Sequence, residues 1–169
     1  MRAMYLSRIG PVVLVLAILY AGVAKAIQVD EFQASLASWV FLPEMLRAAV
    51  ALVVPALEVT VALRWFALGQ KRYDFTWAPL LLMSTFTAAY LVHYLLASPP
   101  DCACFGKWVA YNDERASGFA TMLRNCLLLS CGAMGGTLSS QSWVRFACRV
   151  TMSVALVSIV VLAASSLAI

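Results

Sequence analysis

PVVLVLAILYAGVAKA, residues 11–26, runs fourteen positions without a charge before reaching Lys25. Its reading decides the fold class. The apolar run that contains it extends over about 9–27, which is the length of about 20 residues needed to cross a bilayer. Composition agrees, because the 169-residue chain is 63% hydrophobic and 12% charged, against about 25% charged in soluble domains. Outward from this run, further apolar segments of spanning length lie near 47–67, 77–97, 119–138 and 149–168. The fourth carries Arg124 and Asn125, but its other residues are apolar or small. The expected fold is all-α, a polytopic membrane protein whose residues 1–169 form one integral membrane domain. Arg2 and Arg8 ahead of the first run, and Ala24-Lys25-Ala26 at its end, also fit a signal peptide with an A-x-A site. An uncleaved first helix is the reading adopted here.

Orientation follows from Lys and Arg. Arg2 and Arg8 mark the N-terminus, Lys71 and Arg72 the 67–76 connection, and Arg145 the 139–148 turn. Segment 28–46 holds Asp30, Glu31 and Glu44, and segment 98–118 is mixed. Alternation then puts the N-terminus in the cytoplasm and places 28–46 and 98–118 outside. In a bacterial inner membrane the outside is the oxidising periplasm, where disulfides form and persist. The net charge of +4 sits in short clusters at run ends, a topology signal and not a nucleic-acid surface.

Five cysteines occur, at 102, 104, 126, 131 and 148. Cys102 and Cys104 stand one residue apart in DCACFGKW, residues 101–108. A bridge between them closes a very small ring. Disulfides favour Cα separations of about 5.5–6 Å, so a C-x-C link is strained and readily exchanged, with Gly106 allowing the turn behind it. Other readings stay open: two unpaired surface thiols, a soft-metal site for which His93 and one more cysteine are thin support, or a bridge from one of the pair to Cys126. Cys126 and Cys131, five apart on a helix, face different ways, so no mutual bridge is expected. Cys148 is expected to be a reduced thiol near the inner end.

Polar groups inside spans are costly and are functional candidates. Lys25 is expected at the outer end of the first helix, snorkelling to the interface or charged within a site. Glu58 lies roughly 16 Å down the second span, where pairing with Lys25 or Arg124 would neutralise it. His93 sits about one turn from the outer end of the third span, flanked by Tyr90 and Tyr94, as an aromatic-belt residue, a thiol activator or a hydrogen-bond donor to a quinone. Arg124 and Asn125 lie one to two turns below the outer start of the fourth. Lys25, His93, Arg124, Asn125 and the C-x-C pair thus converge on one side. Gly132 and Gly136 form a G-x-x-x-G that invites close packing. Trp39, Trp65, Trp77 and Trp108 fall where interfacial anchors belong.

The ordered set of a Lys closing the first helix, Phe32, Leu42-Pro43, Pro55-x-x-Glu58, Cys102-x-Cys104-Phe105-Gly106 and Arg124-Asn125 resembles the MauE (methylamine utilisation) branch of the DoxX-like membrane proteins. The likeness reaches about residue 138. It implies a DoxX-like four-helix transmembrane bundle, here with a fifth C-terminal helix. It also implies service in maturing a disulfide-rich client, the small subunit of methylamine dehydrogenase, alongside a MauD-like, thioredoxin-like periplasmic partner. The expected function is thiol–disulfide exchange, with Cys102 and Cys104 catalytic and Lys25, Glu58, His93, Arg124 and Asn125 supporting. Bundle analogy suggests a quinone as electron carrier. A non-catalytic assembly factor for the same pathway and a soft-metal carrier are the alternatives.

Overall fold

A computed structural model describes residues 2–69, 77–97 and 114–136. Among them lie five helices: α1 (Arg2–Ile27), α2 (Val29–Leu36), α3 (Glu44–Gly69), α4 (Trp77–Leu96) and α5 (Glu114–Gly136). The described residues contain no strand. Segments Ile9–Ile27, Glu44–Ala67 and Trp77–Leu96 are each long and apolar enough to cross a membrane, which makes the chain an integral membrane protein. Backbone hydrogen bonds closed within each helix are what lipid demands.

α1 is the central helix. It packs extensively on α3 and on α5, and α4 in turn packs on α5. Leu14 and Ile18 of α1 meet Leu80 and Met83 of α4 and Leu129 and Ala133 of α5 in one cluster, and Val15 meets Ala62 and Trp65 of α3 in another. These contacts run antiparallel between α1 and α3 and between α1 and α5, and parallel between α1 and α4. The four long helices therefore alternate up and down. On α1 the opposite stripe, Ile9, Val13, Leu16, Tyr20, Val23 and Ile27, is exposed. Its spacing of three and four residues is one helical face, and an apolar exposed face of that length is a lipid-facing one.

Close approach is set by small residues. A Cβ on Gly10 would fall within the backbone carbonyl of Cys131, and one on Gly132 would lie 2.5 Å from Leu14 Cδ2 and 2.8 Å from Leu80 Cδ2. Gly132 therefore serves the tight packing that the G-x-x-x-G suggested. Gly10, which no motif marked, serves the same contact from the other side.

Two expectations are corrected, and two open alternatives are narrowed. Segment 28–46 is not a plain loop, because it contains α2. Gln28, at φ −114° and ψ 47°, breaks α1 and turns the chain so that Phe32 and Leu36 bury against Ala51 of α3. Their spacing with Val29, at three and seven residues, is helical. Trp65 is 7% exposed and packs in the core, so it is no interfacial anchor, whereas Trp77 at 40% is placed as one. Of the alternatives left open for them, burial removes the snorkelling one for Lys25 and the aromatic-belt one for His93. α5 covers the fourth expected run, and its polar residues Arg124 and Asn125 face inward, which is why its hydropathy is low. The expected fifth helix at 149–168, Cys102, Cys104, Cys148 and Trp108 lie outside the described residues.

Candidate functional site

The site begins with a charge that lipid cannot tolerate alone. Lys25, in the last turn of α1, is 4% exposed. Its Nζ donates to Oε1 of Glu58 on α3 at 2.6 Å. The pair forms because α1 and α3 touch where Gly22 leaves room: a Cβ there would lie 2.9 Å from the Glu58 Cβ and 3.2 Å from the Pro55 carbonyl. The ammonium also stands 5.5 Å from the ring centre of Phe32 and 5.7 Å from that of Phe86. One carboxylate and two aromatic faces from α2, α3 and α4 thus surround it, a setting in which a desolvated cation is held by its partner and by ring quadrupoles. The sequence offered Arg124 as an alternative partner for Glu58; Lys25 takes that place.

Beside the pair lies a cavity of about 260 Å³. All five helices contribute to it. Its polar wall includes Lys25, Glu58, Thr85, Thr121, Arg124 and Asn125, and the rest of the lining is chiefly apolar and aromatic. Arg124 and Asn125 are neighbours on α5, and the guanidinium Nη2 donates to the Asn125 Oδ1 at 3.5 Å. That contact leaves the Asn125 amide with N–H donors to offer. A guanidinium is donor-only as well, so the α5 part of the wall is rich in donors.

The chain between α2 and α3 roofs this cavity. Successive turns carry it, with the Trp39 N–H bonding the Leu36 carbonyl and the Leu42 N–H bonding the Trp39 carbonyl. Trp39 and Phe41 line the cavity, and both rings pack on His93, at centroid distances of 5.3 and 5.9 Å. His93 Nδ1 accepts from the Val40 N–H at 3.4 Å. His93 is 1% exposed and stands one layer behind the lining, so it clasps the roof and does not face the chamber. His93→Phe keeps the ring but removes the acceptor; it is expected to cost about 1 kcal/mol by thermal unfolding in detergent. His93→Ala, which also empties the ring's volume, is expected to cost about 3 kcal/mol.

Of the five supporting residues expected from sequence, Lys25, Glu58, Arg124 and Asn125 therefore share one chamber, and His93 buttresses its roof. Cys126 and Cys131 are both thiols, Cys126 being the buried one, and no bridge joins them. Sequence reasoning missed Phe32, Phe86 and Trp39 as chamber residues. The helical spacing of Val29, Phe32 and Leu36 was the available signal for the first. For Phe86 and Trp39 there was none short of the tertiary packing.

A polytopic α-helical membrane protein with a charged, roofed chamber among its helices is the class this fold and site define. The sequence matches the family model of the methylamine utilisation protein MauE over residues 3–139, and the chain belongs to that family. Its role is accordingly in methylamine utilisation. Among curated proteins and among solved structures none matches the chain.

Proposed function

We propose that this protein is a thiol–disulfide exchange component of the inner membrane, supporting maturation of a disulfide-rich periplasmic client through a thioredoxin-like partner. The observation that carries the reading is the joining of the roof to α4 by His93 and Val40. It puts the end of α4 at the same end of the bundle as α2 and the roof, and the C-x-C pair is on the chain between Leu96 and Glu114. Arg124 is ten residues into α5, about 15 Å along it. Arg2 and Arg8 at the N-terminus, and Lys71 and Arg72 in the connection from α3 to α4, belong to the opposite face and mark it as cytoplasmic, which argues for this face being periplasmic.

The exchange is a two-electron process. One thiolate of the pair attacks the partner's disulfide; a new S–S bond forms as the old one breaks, and the departing sulfur leaves as thiolate and takes a proton. The second cysteine then attacks the mixed disulfide, releasing the partner as a dithiol and leaving Cys102 joined to Cys104. Run backwards, the same steps oxidise the partner. In this reading Arg124 is the cation of the chamber that favours the thiolate form, the Lys25 charge being matched by Glu58. Electrons enter or leave the pair through a carrier in the bilayer, a quinone in this reading.

Alkylation trapping tests it. Cys102→Ser or Cys104→Ser is expected to accumulate a mixed disulfide with the thioredoxin-like partner, and client maturation is expected to fall at least tenfold in both. If neither variant traps a partner and the double serine variant matures its client normally, exchange is excluded and a non-catalytic assembly role takes its place.

A further inference from the structure

We infer that the chamber is a binding site for the headgroup of an isoprenoid-type quinone, entered sideways from the bilayer between α3 and α4. The inference deepens the exchange reading and rests on it for the ligand's role as electron carrier, but not for its binding.

The entry route follows from helix packing. α3, α1, α5 and α4 form an arc in which each packs firmly on the next, while α3 and α4, at the two ends, barely touch. Both nevertheless line the chamber, α3 through Val50, Val54 and Glu58 and α4 through Phe86, Ala89 and Tyr90. Among the described residues the chamber is therefore least closed by helix packing between α3 and α4, and that side is the proposed entry for a ligand dissolved in the bilayer.

Size and chemistry narrow the occupant. A volume of about 260 Å³ lies just below the usual range of about 300–1,000 Å³ for ligand pockets. It suits one substituted ring and leaves a long apolar tail to trail out through the α3–α4 gap. The walls suit a flat ring, because Phe86, Trp39 and Tyr90 supply aromatic surfaces. The polar wall suits carbonyls. The Lys25 charge is matched by Glu58 at 2.6 Å, so the pair itself offers little net attraction to an anion. Arg124 and Asn125 present N–H donors, for which a quinone carbonyl is a neutral acceptor. A fatty acid would match the guanidinium but would put its carboxylate in the same small chamber as Glu58.

The redox step balances without a further reagent: two thiols and one quinone give one disulfide and one quinol, with two electrons and two protons moving together. Quinone-linked oxidation of thiols at the periplasmic face is an attested way of keeping that compartment oxidising.

The test is titration of the purified, detergent-solubilised chain with a decyl-tailed benzoquinone, followed by tryptophan quenching. Saturable binding is expected. Ala17→Leu and Ala89→Leu, which fill the chamber from α1 and from α4, are each expected to weaken it at least tenfold, and Asn125→Leu about tenfold. Unfolding curves identify any variant that fails to fold, and a photoactivatable azidoquinone on the unmutated protein gives an independent reading by labelling peptides that contain Phe86, Tyr90 or Asn125. Absence of saturable binding, labelling away from those peptides, or displacement by oleate as effectively as by quinone overturns the inference. Its failure is separable from that of the exchange reading: the Cys102→Ser variant is expected to bind quinone normally, and Ala89→Leu, combined with whichever cysteine-to-serine change traps the partner, is expected to trap the same mixed disulfide when supplied with the oxidised partner.

Discussion

Glu58→Ala is expected to be the most damaging single substitution in the described part of the protein, at about 3–5 kcal/mol. Removing the carboxylate leaves the Lys25 ammonium, 4% exposed, without its ionic partner among apolar walls. The two nearby rings do not compensate. Each cation–π contact contributes about 0.5–2 kcal/mol, and both are already present in the native protein. Lys25→Ala is expected to cost a similar amount by isolating the carboxylate instead. The double variant Lys25→Met/Glu58→Met separates the pair's geometry from its charge. Buried ion pairs replaced by apolar side chains of similar volume are often neutral in stability, so the double variant is expected to recover most of what either single variant loses. Denaturant unfolding in a fixed detergent, run as a double-mutant cycle, checks this. The loss is also expected to be nearly independent of added salt, since buried charges are poorly screened. Single variants within about 0.5 kcal/mol of wild type would show that the pair is held too loosely to organise α1 against α3. If the chamber takes a quinone, the double variant also probes function, because it leaves the donors of Arg124 and Asn125 in place while removing the charges beside them.

Much of this arrangement is legible in the sequence, for physical reasons that differ from residue to residue. The apolar runs announce α1, α3 and α4 because lipid imposes length and composition together, so span boundaries agree with helix ends to within a few residues except where a helix projects beyond the apolar core. Glu58 was readable as one half of a pair because a mid-membrane carboxylate has few affordable states, and Lys25 and Arg124 were the partners offered. The choice between them was not readable, because it depends on Gly22 bringing α1 against Pro55 and Glu58. Helical rise alone puts Lys25 and Glu58 at different depths, with Lys25 at the interface. That estimate fails because α2 and the roof cover the end of α1, and the covering segment reads from sequence as an acidic loop. His93 was drawn toward chemistry because it is the lone histidine. Its ring is in fact committed to Trp39, Phe41 and the Val40 N–H, partners that only the fold of the preceding loop supplies.

The contact that most constrains the arc of helices is at Gly10, and Gly10→Ala is expected to cost about 2–3 kcal/mol, toward the upper part of the range for overpacking. The reason is the identity of the obstacle. The added methyl would enter the carbonyl of Cys131, and backbone in the middle of a helix has no rotamer with which to move aside. α1 and α5 must separate as bodies. Gly132→Ala, on the facing helix, meets only Leu14 and Leu80 methyls at 2.5 and 2.8 Å. Those side chains can shift, and alanine returns up to about 1 kcal/mol of helix propensity, so a loss of about 1 kcal/mol or less is expected there. The order of the two variants, measured by unfolding in the same detergent, is the decisive result. A larger loss at Gly132 than at Gly10 would mean that α1 and α5 meet through side chains and not through backbone. The Gly10 variant carries a second consequence, because Arg124 and Asn125 are on α5 and Lys25 is on α1. Pushing the two helices apart widens the polar wall of the chamber, so a quinone that bridges it is expected to bind the Gly10→Ala protein several-fold more weakly even where the protein remains folded.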